Sequence, residues 1–308
     1  MSRFFNDWLT RRMMAAKSEP PAYIQFVDSA VEAICASTWG DGVGLTYAQA
    51  AAVTSLGTAF RANTSIVSFD ELQYFTSLTS ISGGSSSAGA FYGCTNLVSV
   101  TLPSGCTTLN SYCFCGCSAL TTINLANVLT FGKNAFELCT SLNNIDLSGA
   151  TTIEQIAFRD CSSLTTVTHS GQETFTVGNE SFKRCPLSTS FPTLAIASVA
   201  SGYAFHRNEM SYIELNSTIS SIGSRAFLRL CQVDTTVVMR NTTPPTLGNN
   251  QVFHYDNGAG SFYKNTLLKI YVPYSADHSV LNAYKTTGNW TTYADYIFEL
   301  NQDGTIPS

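Results

Sequence analysis

A chain of 308 residues that is 44% hydrophobic, 12% aromatic and only 12% charged has enough apolar side chain for a core, which excludes wholesale disorder. No run approaches the roughly 18 unbroken apolar residues of a membrane span, so no integral membrane span is expected. Sixteen basic residues against twenty-one acidic leave a net charge of −5, which argues against a nucleic-acid partner.

The first seventeen residues, MSRFFNDWLTRRMMAAK, place Phe4, Phe5, Trp8, Leu9, Met13 and Ala16 along one helical stripe. Arg3, Arg11, Arg12 and Lys17 against Asp7 make this segment +3 in a chain of net −5. Charges interrupt the apolar run of a secretory signal and no A-x-A site follows, so no leader is expected. Residues 1–20 read as an amphipathic anchoring helix that docks into a larger assembly through Phe4, Phe5, Trp8, Leu9, Arg11 and Arg12. Packing on its own protein and lying on a membrane surface are the alternatives. Pro20-Pro21 separates the segment from the body.

Residues 21–77 read as a helical cap. Val27, Val31, Ile34 and Cys35 fall at helical spacing within 23–36. Thr46-x-x-Gln49 and Ser68-x-x-Glu71 each have the form of a capping box, predicting helices over about 47–56 and 69–76. Between them, Ser37, Trp39, Asp41 and Gly42 fall at calcium-loop spacing. The position that needs a bidentate Glu is Ala48, so the stretch reads as a glycine turn.

From residue 78 a repeat takes over. Cys94, Cys117, Cys139, Cys161 and Cys185 are spaced by 23, 22, 22 and 24 residues, and each follows a phenylalanine by three: Phe91, Phe114, Phe136, Phe158 and Phe182. Phe205 and Phe227 continue the series, with Asn208 in the cysteine position and Cys231 slipped by one. AFYGCTNLVSVTL, CFCGCSALTTINL, AFELCTSLNNIDL and AFRDCSSLTTVTH align without gaps. Five residues before the phenylalanine a second apolar position recurs: Leu109, Phe131, Ile153, Val177 and Ile222. One coil cannot bury these residues alone, whereas stacked coils form a continuous core. The expected fold is an α/β solenoid of about seven coils of 22–24 residues over 78–240, with the last coil and an aromatic cap over 241–308. The L-x-x-I-x-L part alternates as a strand, and A-F-x-x-C reads as a turn or short helix. SGGSSSAG (82–89) reads as an inserted loop. Pro186 and the shifted Leu187 and Met210 predict a deformed coil around 170–200.

The cysteines read as a ladder of buried free thiols, because equivalent positions on neighbouring coils stack about 5 Å apart. Cys113, Cys115 and Cys117 would share a direction on an extended segment, yet no further Cys or His cluster completes a site. No metal or cofactor is therefore expected. The outward strand residues form two polar columns, Ser99, Thr122, Asn144 and Thr166 in one and Thr101, Asn124, Asp146 and Thr168 in the next. They suit hydrogen bonding to protein or glycan, although any solvated strand face is polar and this one lacks stacking aromatics.

The A-F-x-x-C-x-x-L-x-x-(I/V)-x-L frame resembles the BspA-type leucine-rich repeat of bacterial surface proteins. The closing succession of Thr243-Pro244-Pro245, Ile270-Tyr271-Val272-Pro273, Tyr284, Trp290, Tyr293 and Ile297 is similar to the segment that ends many such arrays. The stretch from Phe26 through Ile81 resembles the lead-in segment of repeat proteins from gut bacteria and their phages. The resemblance implies an adhesion or interaction surface without catalytic residues. P-loop, H-E-x-x-H, G-x-S-x-G and dinucleotide signatures are missing from the sequence, and His169, His206, His254 and His278 are scattered. The reading is a non-enzymatic virion component of a phage, tail- or capsid-associated. It would contact other virion proteins or itself through the helix and a host protein or glycan through the repeats. The alternative is an adhesin on the bacterial cell surface.

Overall fold

The computed structural model describes residues 22–83, 89–169, 174–187, 196–200, 202–208, 210–229, 234–256, 262–264 and 266–308. The anchoring segment 1–20, most of the 82–89 loop, Cys231 and much of 170–200 lie outside the described residues.

The chain is a parallel β-solenoid of about eight turns, in keeping with about seven coils and a last one before the cap. Each coil has three sides. The first is the L-x-x-I-x-L strand. The second is a two- to four-residue strand ending on the recurring apolar residue, and the third is the A-F-x-x-C turn. That turn is not helical; among the described residues the helices lie in the two ends of the chain.

The second side forms one eight-stranded parallel sheet. Its strands run from Ser80–Ile81 through Thr108–Leu109, Thr130–Phe131, Thr152–Ile153, Phe175–Val177, Ile196–Val199 and Ser221–Ile222 to Thr246–Leu247. The register shifts between Phe175 and Thr176, inside the region where Pro186 and the slipped leucine predict deformation. Among the described residues the first side comprises three sheets: Ser68–Phe69 with Ser99–Val100 and Thr122–Ile123; Asn144–Asp146 with Thr166–Thr168; and Tyr212–Leu215, Thr236–Met239, Lys269–Val272 and Ile297–Glu299.

Inside, the phenylalanines form a single column. Phe91, Phe114, Phe136, Phe158, Phe182, Phe205 and Phe227 stack at ring-centroid separations of 5.0–5.4 Å and interplanar angles of 10° or less. Phe60 extends the column at one end (5.3 Å) and Phe253 at the other (5.5 Å). Offset-stacked rings at this distance add to the area they bury. Each ring's main chain is tied to the next coil through both its N–H and its carbonyl. The Phe136 N–H donates to the Ala157 carbonyl (2.7 Å), and the Phe136 carbonyl accepts from the Cys161 thiol (3.1 Å).

The thiol contact explains the cysteines. Cys94, Cys117, Cys139, Cys161 and Cys185 are buried and free, and each donates its S–H at 2.9–3.1 Å to the phenylalanine carbonyl of the preceding coil: Phe60, Phe91, Phe114, Phe136 and Phe158. Where the cysteine is replaced, Asn208 Nδ2 donates to the Phe182 carbonyl (2.8 Å). A buried carbonyl needs a partner, and a thiol is the smallest apolar side chain that carries a donor.

Both ends are closed. At the start, helix Ser29–Thr38 follows Asp28, whose Oδ1 accepts from Ala30 and Val31 N–H while Oδ2 accepts from Val67 and Ser68 N–H at the edge of the first sheet. Burial alone would raise the Asp28 pKa, yet these four donors hold it below its ordinary value. Helix Tyr47–Ala52 carries the Thr46–Gln49 capping box as expected. Two expectations are corrected here. Val27 lies outside the helix and is 83% exposed. Ser68-x-x-Glu71 is not a capping box, because Glu71 lies within a 3-10 turn over Asp70–Tyr74, turns inward and accepts the Val27 N–H (3.0 Å). Trp39 lies against Phe60 (6.1 Å) and edge-on to Phe75 (5.9 Å), terminating the column.

At the other end, helix Ser279–Thr286 and a 3-10 segment over Gly288–Tyr296 bring Tyr284, Trp290 and Tyr293 over the last coil, all buried. Trp290 Nε1 donates to the Pro245 carbonyl (2.7 Å), Tyr284 to the Asn241 carbonyl (3.1 Å) and Tyr293 to the Asn250 carbonyl (2.8 Å). Each aromatic thereby buries its ring while satisfying its polar atom.

Truncating Phe136 to Ala removes the centre of the column and should cost about 3–5 kcal/mol of unfolding free energy, as buried aromatic truncations do. Urea denaturation checks this; a loss under about 1 kcal/mol would mean that the column does not carry the core.

Candidate interaction surface

The two polar columns lie on the first side, and the strand register decides which of their members meet. Ser99 pairs with Thr122, and Ser68 precedes them in the same column. Asn144 pairs with Thr166, and Asp146 with Thr168. The sheet breaks between Thr122–Ile123 and Asn144–Asp146, so the columns expected to run through four coils are two separate pairs of coils.

Most members of the columns are engaged within the protein. Asp70 gathers the hydroxyls of Ser99 and Thr101, each at 3.1 Å. Asn124 pairs with the backbone of the preceding coil through both ends of its amide, accepting from Leu102 N–H (2.7 Å) and donating to the Leu102 carbonyl (3.1 Å). It therefore continues the ladder where the strand itself stops. Asp146 accepts from the N–H (2.9 Å) and hydroxyl (2.5 Å) of Ser148, forming a turn, and the Thr168 hydroxyl donates to the Ile145 carbonyl (3.3 Å). Asn144 bonds its neighbour Asn143 (2.6 Å). Thr122, Asn144 and Thr166 are the exposed members of the first column, and their hydroxyl and amide groups face solvent.

The sequence reading passed over a longer column on the second side. Ser80, Thr108, Thr130, Thr152, Thr176, Ser198, Ser221 and Thr246 are paired in register through the whole eight-stranded sheet. All eight are half-buried or exposed. Their signal was available, since a Ser or Thr precedes the recurring apolar residue in each coil. A flat row of hydroxyls one strand spacing apart can donate and accept hydrogen bonds to a regular polar partner.

Nucleophilic chemistry would need a hydroxyl or thiol within reach of a base. His169, next to Thr168, packs its ring on Phe175 (5.1 Å), burial lowers its pKa, and its Nε2 makes no hydrogen bond among the described residues. Burial holds the thiols of Cys35, Cys94, Cys106 and Cys115 protonated. Burial, with Glu137 beside it, pushes Cys115 up to about 12; burial also raises Cys35 to about 12 and Cys94 and Cys106 to about 11. Cys113, Cys115 and Cys117 lie in the turn of one coil and face three different partners, the Ala135 carbonyl, Glu137 and the Phe91 carbonyl. No group of three or more Cys, His, Asp or Glu among the described residues could hold a metal ion. Asp41, in the faint calcium-like loop, accepts from Tyr23 OH (2.5 Å) and from Val43 and Gly44 N–H. The Tyr23 bond is the main reason its pKa falls to about 2.

With the repeat geometry on the page, the family profile gives the class. The profile described as BspA type leucine rich repeat region matches residues 58–189, 148–257 and 200–299. The chain belongs to the BspA-type leucine-rich repeat family. These repeats form a non-enzymatic scaffold suited to a protein-interaction or surface role. Among solved structures, a leucine-rich repeat protein from Bacteroides ovatus is similar at 16% identity and a TM-score of 0.46, over 65% of this chain. The chain spans 59% of that protein. No curated protein matches.

The raised thiol pKa values give a pH dependence. A group whose folded pKa lies above its unfolded value stabilises fully below the unfolded value and loses that contribution as pH rises through the folded one. Unfolding free energy should therefore fall as pH rises from about 9, an ordinary thiol's range, towards 11–12. Urea midpoints measured across that range should decline less steeply in Cys94→Ala; identical slopes would contradict the assignment.

Proposed function

We propose that the chain is a non-enzymatic interaction module displayed on a phage particle, tail- or capsid-associated, with residues 1–20 as its attachment and the solenoid flanks as its contact surface. The observation that carries the interaction reading is the closure of both ends. Trp39 and the first two helices cover one end of the phenylalanine column, and Trp290 and Tyr293 cover the other. A solenoid capped in this way does not grow by end-to-end stacking, so partners meet its sides. Those sides present in-register hydroxyl and amide columns on a scaffold that neighbouring coils hold rigid.

Attachment to a particle is supported by the sequence of the first segment. Phe4, Phe5, Trp8 and Leu9 form large apolar anchors, Arg11 and Arg12 add charge, and Pro20-Pro21 separates them from the body. Other virion proteins or further copies of the chain would receive that segment, and a host surface protein or glycan would meet the repeats. Membership of a family of surface repeat proteins favours a second reading, an adhesin on the bacterial cell surface.

Native mass measurement of the full chain against a version lacking residues 1–20 separates the two. The virion reading expects only the full chain to enter a larger assembly. Equal monomeric masses would remove the attachment role and make a free-standing adhesive module the better account.

A further inference from the structure

The amino-terminal cap carries a cavity of about 410 Å³, lined by Trp39, Gln49, Ala52, Val53, Thr54 and Ser55. Trp39 packs on Phe60 and Phe75 but is only half-buried, and Ala52 is exposed at the end of helix Tyr47–Ala52. A space of this size takes one or two large side chains rather than a whole helix. The chain enters the cap beside it. Tyr23 bridges Thr46 in antiparallel register, and Ile24 N–H donates to the Leu45 carbonyl (2.8 Å). Ala22 therefore lies next to the start of the helix that lines the cavity. Along that helix Gln49 and Ala52 are about 5 and 9 Å beyond Thr46, at 1.5 Å per residue.

Residues 1–20, outside the described residues, end at this entry and complement the cap in two ways. The first is charge. Residues 1–17 sum to +3, whereas residues 21–77 hold Asp28, Glu32, Asp41, Asp70 and Glu71 against the single base Arg61, a net of −4. The second is apolar surface. Phe4, Phe5, Trp8, Leu9 and Met13 share one stripe, and soluble chains rarely leave so large an apolar patch in water. On the cap, Val43 and Tyr47, either side of the Tyr23–Thr46 bridge, are 76% and 46% exposed. The reach is sufficient. Pro20-Pro21 interrupts any helix, and residues 18–21 span at most about 14 Å of extended chain. Helical spacing then places Trp8 about 14 Å from Lys17, so the stripe can fold back over the cavity.

We propose that, in the free chain, the apolar stripe of residues 1–20 docks on the chain's own cap, seating Trp8 in the cavity beside Trp39 and setting Arg11, Arg12 and Lys17 over the acidic cap. The same segment of a second copy has equal chemistry, but the covalent tether gives the chain's own segment an effective concentration of about millimolar, which favours it. The proposal rests on reading residues 1–20 as the attachment segment and adds its regulation. Docked on the cap, the stripe is covered until a particle offers a better surface, so attachment exchanges one apolar contact for another rather than exposing the stripe to water.

The test is limited trypsin digestion of the full chain, with cleavage after Arg11, Arg12 and Lys17 followed by mass spectrometry. A free synthetic peptide of residues 1–20 is the reference. Cleavage in the full chain should be at least tenfold slower than in the peptide, with the same protection at every chain concentration, and added salt should weaken the protection. Ala52→Trp, which fills the cavity from an exposed position, and Trp8→Ser, which removes its occupant, should each bring cleavage close to the peptide's rate while no new cuts appear within the body. Cleavage of the wild type at the peptide's rate, or protection that survives both substitutions, would overturn the proposal. Protection that rises with chain concentration would overturn it as well, since the occupant would then be a second copy. A full chain that enters larger assemblies with an unprotected segment strikes the cavity assignment and leaves the attachment reading. A protected segment in a chain that never exceeds the monomer's mass does the reverse.

Discussion

Everything in this molecule hangs on the phenylalanine column and the way its main chain is satisfied. A ring in the middle of a solenoid can be buried only if its own N–H and carbonyl find partners there, since an unpaired buried group costs about as much as a lost hydrogen bond. Here the N–H looks forward to the next coil's backbone and the carbonyl takes a thiol from that same coil. Ring stacking and hydrogen bonding therefore act along one axis. The spacing they set, 5.0–5.5 Å, is passed on to every outward column of the solenoid.

The frame was legible because its two defining residues recur together. Phe60 and Phe253 escaped it for a physical reason. The insertion over 82–89 stretches the first interval beyond the repeat period, and neither residue is followed by the cysteine three positions on, where Asn63 and Asp256 stand. Left-handed backbone was hidden as well, at φ of 63°, 67° and 61° for Leu138, Ile156 and Arg184. Leu138, Ile156 and Arg184 carry no glycine or asparagine signal, and only the stacked neighbours over-determine their backbone.

The polar face was the least readable part. Composition identifies donors and acceptors but not who stands opposite them, and in a solenoid the opposite residue lies a whole coil away. Ser99 and Thr101 turned out to serve Asp70, and Asn124 serves the backbone of Leu102. Asp28 shows the same effect at the cap: its place before the helix was visible, but its second oxygen closing the edge of the first sheet was not. Outward-facing and available are different properties, and the second depends on long-range pairing.

Hydrogen exchange read by mass spectrometry addresses the central claim most directly. The amides of Phe114, Phe136 and Phe158, which donate along the axis to Ala135, Ala157 and Ser181, should be among the slowest in the chain and should exchange together. Exchange at those sites as fast as in the exposed turn at Thr95 and Asn96 would contradict the account, because the column would then not be what holds the coils in register.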